Sequence, residues 1–140
     1  MRFEALLRAH EFVQVQRPPE IWEADTEDVR FLPLLGEMLS TFVSRGVPLN
    51  QVTLLVSNMI TADDPDSLHG LPGGEWVAVT VSGPADIGPD ETWTPAAVPS
   101  QSTLGCLHER LTTAGTRFAY VRRLSPNASM TILLPRLHSR

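Results

Sequence analysis

Cys106 and His108 are the residues of this 140-residue chain whose types suggest nucleophilic chemistry. A thiol needs an adjacent base to become an effective nucleophile, so the two side chains would have to meet. The apolar spacing predicts one helix over residues 103–114. Residues two apart on an α-helix point in directions about 200° apart around its axis, so the two side chains diverge. We therefore interpret Cys106 as a small core residue. No G-x-S-x-G elbow is present, and acyl transfer has no support.

A metal site is suggested by the stretch "ADDPDSLHG", which brings Asp63, Asp64, Asp66 and His69 close together in sequence. Carboxylates and an imidazole suit divalent cations. The spacing departs from the calcium-loop pattern and lacks its terminal Glu, which favours a solvated acidic turn. The single cysteine excludes an intramolecular disulfide and a cysteine-based zinc site within the chain. We expect no metal and no cofactor.

Phosphate binding would need a glycine-rich loop that opens a helix. The stretch "LPGGEW" precedes a predicted strand instead, and "TLGC" has one glycine. The sequence contains neither a Walker loop nor a dinucleotide fingerprint.

Turn formers and acids are concentrated in "SGPADIGPDETWTP", residues 82–95. Asp86 and Asp90 have no basic neighbour in sequence that would tune them. Trp93, like Trp22, is expected to be partly exposed and to anchor a partner, as Trp often does at interfaces. The alternative is that both tryptophans only cover the edge of the core.

Arg122 and Arg123 are adjacent on a predicted strand, so they should face opposite sides of a sheet. We expect pairing with acids of the N-terminal part; an anion site is the alternative. The candidate binding surface therefore comprises Asp86, Asp90, Trp93, Arg122 and Arg123.

The composition is that of one ordered domain over residues 1–140, with 42% apolar and 19% charged residues. Residues 1–91 hold 15 acids against 5 Arg, whereas residues 92–140 hold one acid against 6 Arg. We expect these charges to attract each other within the fold. The net charge of −5 argues against nucleic-acid binding. No apolar run resembles a membrane span or a signal peptide, so we expect a cytoplasmic protein without membrane attachment.

The elements that would position these residues follow from periodicity. Apolar residues at three- and four-residue spacing predict a helix over residues 27–45, capped by Asp25 or Thr26 and closed by Gly46. Alternation predicts a strand in "EWVAVTVSG" and others in "FVQVQ", "RFAYVRRL" and "MTILLPR". With a fifth strand, the economical arrangement is α+β: a mostly antiparallel sheet of about five strands with two main helices on one face, a two-layer sandwich.

The fifth strand is assigned to residues 51–61, "QVTLLVSNMIT", which are rich in β-branched residues. A buried helix is the competing assignment, because so short an apolar run is ambiguous by period. Residues 3–16 are interpreted as a short helix or irregular start leading into a strand.

The pieces "LLVSNMITAD", "VAVTVSGPADIGPD", "TLGCLHERL" and "SPNASMTILLPR" resemble, in their order, the ATPase domain shared by histidine kinases and anti-sigma kinases. The resemblance spans about residues 40–136 and places Asn58 at the magnesium-binding Asn. The chain departs from the family at three places. The position of the adenine-recognising Asp is occupied by Val81 or Ser82, and that of the second loop glycine by Ala85. Of the lid motif, only Gly105 is retained. The resemblance implies a degenerate domain without ATPase activity, and it requires residues 51–61 to be a helix.

The element order is also similar to that of the gyrase-inhibitor-like effector-binding domains, which repeat strand, helix, strand, strand around a ligand cleft. Glu75 and Asp86 are available, but neither clearly matches the Glu that those domains use for cationic ligands. This resemblance implies an architecture and no activity.

The sequence thus favours a non-enzymatic binding or regulatory domain that acts through a protein or small-ligand contact. The degenerate ATPase-like domain is the alternative. An enzyme is the less favoured class, and homodimerisation is left open.

Overall fold

The fold is that of a computed structural model, which describes residues 1, 14–16, 18–62 and 73–138. The start predicted over residues 3–13 and the acidic cluster of Asp63, Asp64, Asp66 and His69 lie outside these residues. The described elements, in chain order, are β1 Gln14–Gln16, α1 Asp28–Val43, a 3-10 turn Leu49–Gln51, β2 Thr53–Thr61, β3 Gly74–Gly83, β4 Glu91–Trp93, a 3-10 turn Gly105–Leu107, α2 His108–Thr113, β5 Phe118–Leu124 and β6 Asn127–Pro135.

The described strands form one sheet in the order β1-β2-β3-β6-β5-β4. Strands β2 to β6 pair antiparallel with their neighbours, and β1 pairs parallel with β2. The buried faces of α1 and α2 pack into one core with one side of the sheet. The predicted α+β sandwich is confirmed, with the short β4 as a strand that the sequence did not indicate.

Helix α1 buries one apolar stripe, as its periodicity predicts. The stripe consists of Phe31, Leu34, Leu35, Met38, Leu39 and Phe42. Gly46 follows the helix with φ +86°, the left-handed conformation expected of a glycine stop. The predicted cap is wrong: Glu27 occupies the cap position without a side-chain cap bond, and Thr26 Oγ1 donates to Ala114 O at 2.6 Å instead. Thr26 thus ties the start of α1 to the end of α2.

Residues 53–61 are a strand, β2, which decides the ambiguity left by the sequence. Every residue of β2 pairs with β3, from Thr53 opposite Ser82 to Thr61 opposite Gly74. Leu54 and Val56 are fully buried on the helix side. The segment therefore has the conformation that the sheet requires and not the helix that the ATPase resemblance requires.

The two faces of the sheet carry two separate apolar clusters. Val77, Val79 and Val81 of β3 belong to the main core under the helices. On the opposite face, Trp76 and Ala78 of β3 cluster with Phe118 of β5 and Leu133 of β6. The strict alternation along β3 produces this separation.

The sheet consists of two three-stranded halves, β1-β2-β3 and β4-β5-β6, which meet at the β3–β6 pair. Each half reads strand, helix, strand, strand, since β4 supplies the first strand of the second half. At the junction, Thr80 and Thr131 are register partners and their hydroxyls are hydrogen-bonded at 2.7 Å. The halves are not identical, because β4 pairs antiparallel with β5 whereas β1 pairs parallel with β2.

Acids from residues 1–91 and arginines from residues 92–140 meet in the fold, as predicted. Three arginines from residues 92–140 pair with acids from residues 1–91: Arg110 with Glu37, Arg123 with Asp86, and Arg136 with Glu75. The charge asymmetry therefore serves internal pairing.

Among the described residues, no helix has the length and apolar character needed to cross a membrane.

Candidate functional site

Asp86, Asp90 and Arg123, three of the predicted site residues, lie together. Asp86 Oδ2 is 2.7 Å from Arg123 Nη2, and Asp90 Oδ1 accepts from the Arg123 backbone N–H at 2.7 Å. Asp86 Oδ1 also accepts from the N–H of Gly88, whose φ of +118° favours glycine. These bonds fasten the loop after β3 to β5.

The pKa of Asp86 is lowered, chiefly by the hydrogen bond from the Gly88 amide. Desolvation opposes this shift, and the charge and hydrogen bond of Arg123 together with the charge of Arg45 lower the pKa further. No basic residue lies near Asp86 in the sequence, but the fold brings Arg123 of β5 beside it. The side chains of Asp86 and Arg123 are 60% and 55% exposed, so water screens the pair. The arrangement is that of a surface latch and not of a tuned catalytic acid.

Trp93 corrects the prediction of an exposed anchor. Its side chain is 3% exposed and belongs to the main core. The indole Nε1 donates to His108 Nδ1 at 3.1 Å, which satisfies the polar end of a buried ring. Trp22 is partly exposed, as predicted, and the Arg136 guanidinium lies 4.1 Å from its ring centroid.

Arg122 and Arg123 face opposite sides of β5, as predicted. Arg123 pairs with Asp86, whereas the Arg122 guanidinium lies over the Tyr120 ring, 5.1 Å from its centroid. Asp90, Tyr120 and Arg122 line a hollow of about 250 Å³ beside β4. The five predicted residues therefore do not form one surface. Asp86, Asp90 and Arg123 fasten a loop to β5, Trp93 is in the core, and Arg122 lines this small hollow together with Asp90.

A larger depression lies between α1 and residues 99–113, and we call it the polar groove. It consists of two hollows of about 450 and 580 Å³, which share Glu37 and Cys106. The first hollow is lined by Glu37, Ser40, Thr41, Ser44, Arg45, Gln101, Thr103, Cys106 and Leu107. The second is lined by Glu37, Pro99, Gly105, Cys106, His108, Glu109, Arg110 and Thr113. Each volume is within the range typical of small-ligand sites.

The α1 wall of the polar groove is the polar side of a helix whose other side is buried. Thr41 Oγ1 donates to Glu37 O at 2.9 Å, and Ser44 Oγ donates to Thr41 O at 3.3 Å. Arg45 Nη1 also donates to Thr41 O, at 2.8 Å. Short side chains bound to the backbone leave space that long side chains would fill.

The opposite wall is held in place by bonds to the rest of the second half. Leu104 N donates to Glu91 Oε1 at 2.7 Å, and Thr103 Oγ1 donates to Ile87 O. Gly105 lies so close to Ser100 that an added Cβ would be 2.6 Å from Ser100 O. A glycine is therefore needed for this chain path.

Glu37 and Arg110 connect the two walls. Arg110 Nε lies 3.4 Å from Glu37 Oε1, and both side chains are about half exposed. The pair neutralises the one acid that lines both hollows.

Cys106 and His108 depart from their predicted arrangement. The segment is a 3-10 turn followed by a short helix, so the two residues do not share one regular helix. Both line the second hollow, and Cys106 is exposed and not a core residue. The predicted core position of Cys106 is therefore wrong.

The residues of the polar groove were missed by sequence reasoning. A usable signal was the "STFVSR" stretch, where Ser40, Thr41 and Ser44 occupy the outer side of a strong helix. Ser and Thr are poor choices for a helix surface, which favours long straight side chains.

Asn58, which the ATPase resemblance places at a magnesium ligand, has a structural role. Its Nδ2 donates to Glu20 O at 2.8 Å, and its Oδ1 accepts from Trp22 N at 2.9 Å. Within residues 18–62 and 73–138, no three His, Cys, Asp or Glu side chains are grouped as a metal site.

No protein-family model matches this chain, and no curated protein matches it.

Proposed function

We propose that this chain is a non-enzymatic binding domain whose ligand, a small polar molecule, lies in the polar groove. The single observation that carries the proposal is the groove itself: two adjoining hollows of ligand size with fixed polar groups on both walls. The bonds of Glu91 and Thr103 hold one wall, and the packing of α1 holds the other. A preformed site loses little entropy when it binds.

Three polar groups of the groove, Glu37, Thr41 and His108, are engaged in ways that suit binding more than catalysis. Glu37 is neutralised by Arg110, and the Thr41 hydroxyl proton is directed to a backbone carbonyl. His108 Nδ1 already accepts a hydrogen bond from Trp93. A general base would need a free acceptor within reach of a substrate proton.

No contact among the described residues supports the degenerate ATPase-like domain. Residues 53–61 form a strand, and the Asn58 amide is occupied by backbone groups. We therefore do not propose nucleotide binding.

The proposal is tested by a screen of small polar molecules against the ¹⁵N-labelled full chain, followed by amide chemical shifts. A ligand of the groove should shift amides in residues 37–45 and 99–113 together. Shifts confined to the hollow of Asp90, Tyr120 and Arg122, or no binder among several hundred compounds, would reject the groove as the site.

A further inference from the structure

The hydroxyl groups of the first hollow can accept hydrogen bonds from a ligand but have few protons left to donate. Thr41 and Ser44 donate their hydroxyl protons to backbone carbonyls of α1, and Thr103 donates to Ile87 O. A hydroxyl oxygen that has used its proton still carries lone pairs. These three side chains therefore present acceptors, which a ligand rich in hydroxyl groups would satisfy.

Arg45 supplies the opposite character at the end of the same hollow. One guanidinium nitrogen donates to Thr41 O, and the remaining N–H groups have no hydrogen-bond partner among the described residues. A guanidinium has five donors in a planar fork that fits carboxylate and phosphate oxygens. The carboxylate of Asp86, although near, is held by Arg123 at 2.7 Å and by the Gly88 amide.

The charge of the lining favours an anionic end over a cationic one. Glu37 is the acid of the first hollow, and Arg110 pairs with it at 3.4 Å. Arg45 thus remains as the charged group of that lining whose hydrogen-bonding capacity is only partly used, by the bond to Thr41 O. A ligand ammonium group near Arg45 would be repelled.

From these contacts we infer that the ligand of the polar groove is a small polyhydroxylated molecule with one anionic group, in the class of sugar acids and sugar phosphates. The inference rests on the proposed function and names the ligand class of the same site. The anionic group lies against Arg45, and the hydroxyl groups donate to Thr41, Ser44 and Thr103.

The test compares three probes of related shape by amide-shift titration of the full chain. D-gluconate carries both features, sorbitol has the hydroxyl chain without the carboxylate, and hexanoate has the carboxylate without the hydroxyls. We expect gluconate to bind about tenfold or more tighter than either of the others, because a charge-assisted hydrogen bond is lost in one and several neutral bonds in the other.

The Arg45→Gln variant should lose that advantage for gluconate and leave the weak binding of sorbitol unchanged. Arg30→Gln is the matched control, since Arg30 is an exposed arginine of α1 that pairs with Glu27 outside the groove. Gluconate binding no tighter than that of sorbitol, or equal in Arg45→Gln and wild type, would overturn the inference. If other small molecules bind in the groove while gluconate does not, the ligand class is wrong and the proposed function stands; if nothing binds there, both fail.

Discussion

The indole Nε1 of Trp93 donates a hydrogen bond to His108 Nδ1 over 3.1 Å, and the two rings meet edge to face with centroids 5.7 Å apart. Trp93 ends β4 and His108 begins α2, so the bond joins the turn-rich loop to one wall of the polar groove. Because His108 accepts at Nδ1, its neutral form carries the proton on Nε2.

Trp93 should therefore behave as a core residue in mutagenesis. Trp93→Ala should lower the free energy of unfolding by about 3–5 kcal/mol, as other large-to-small aromatic changes do. Trp93→Phe keeps a ring but leaves His108 Nδ1 without its donor, and it should lower the free energy of unfolding by about 1–3 kcal/mol. Denaturant unfolding measures both, with Val98→Ala as the control at an 84% exposed position, expected within about 0.5 kcal/mol of wild type. A Trp93→Ala protein as stable as wild type would contradict the burial.

Asn58 should hold the segment before α1 on the sheet. Asn58→Leu removes both amide bonds to Glu20 and Trp22 and should cost about 1–3 kcal/mol. Hydrogen exchange of the Trp22 amide should accelerate, because its acceptor is lost. Ser57→Ala, at the neighbouring position of β2, should leave that exchange rate unchanged. Equal rates in Asn58→Leu and wild type would show that the amide does not fasten the segment.

The Asp86 latch should make a small, pH-dependent contribution to stability. Since the Gly88 amide, Arg123 and Arg45 lower the pKa of Asp86 in the fold, the ionised form is stabilised there. The contribution is complete above the unfolded aspartate value of about 3.9 and is lost as the pH falls through the lower folded pKa. Asp86→Asn should thus be less stable than wild type at pH 5–7, and the difference should shrink below about pH 4. A difference that persists unchanged at pH 2, or that also occurs in Asp25→Asn, would point to another cause.

Gly105 and Gly36 provide a matched pair of glycine substitutions. Gly105→Ala would place a Cβ 2.6 Å from Ser100 O and should cost about 1–3 kcal/mol while shifting amides of the groove wall. Gly36 is an exposed position inside α1 with no atom within 4 Å of an added Cβ, so Gly36→Ala should stabilise the protein by about 1 kcal/mol. Thermal unfolding and amide spectra distinguish the two; a Gly105→Ala protein with unshifted groove amides would mean that the loop adapts freely.

Periodicity predicted the elements that have many residues in phase. The stripe from Phe31 to Phe42 and the alternation of Trp76 and Val77 were readable because burial selects one face of a helix and alternates along a strand. Strand β4 was not readable, since three residues within a turn-rich loop carry no period. The exposed position of Cys106 was missed because its burial was inferred from the lack of a base partner and not from the spacing of the apolar residues.

The candidate site was harder to predict than the fold because it is made by packing of distant segments. Arg123 was assigned an acidic partner from charge asymmetry alone, and Asp86 fills that role. The polar groove unites Thr41 of α1 with Thr103 of a loop, and nothing local links their side chains. Only the docking of α1 beside residues 99–113 creates it.

The central claim, that the polar groove binds a small ligand, is tested most directly by blocking it. Ser40→Trp introduces a large side chain on the groove lining, and Val29→Trp introduces the same side chain at a 76% exposed position of α1 outside it. Both variants should fold, because both positions are exposed. For any small molecule that shifts the amides of residues 37–45 and 99–113 in wild type, the dissociation constant should rise at least about tenfold in Ser40→Trp and stay unchanged in Val29→Trp. Equal affinity in wild type and Ser40→Trp would contradict the account.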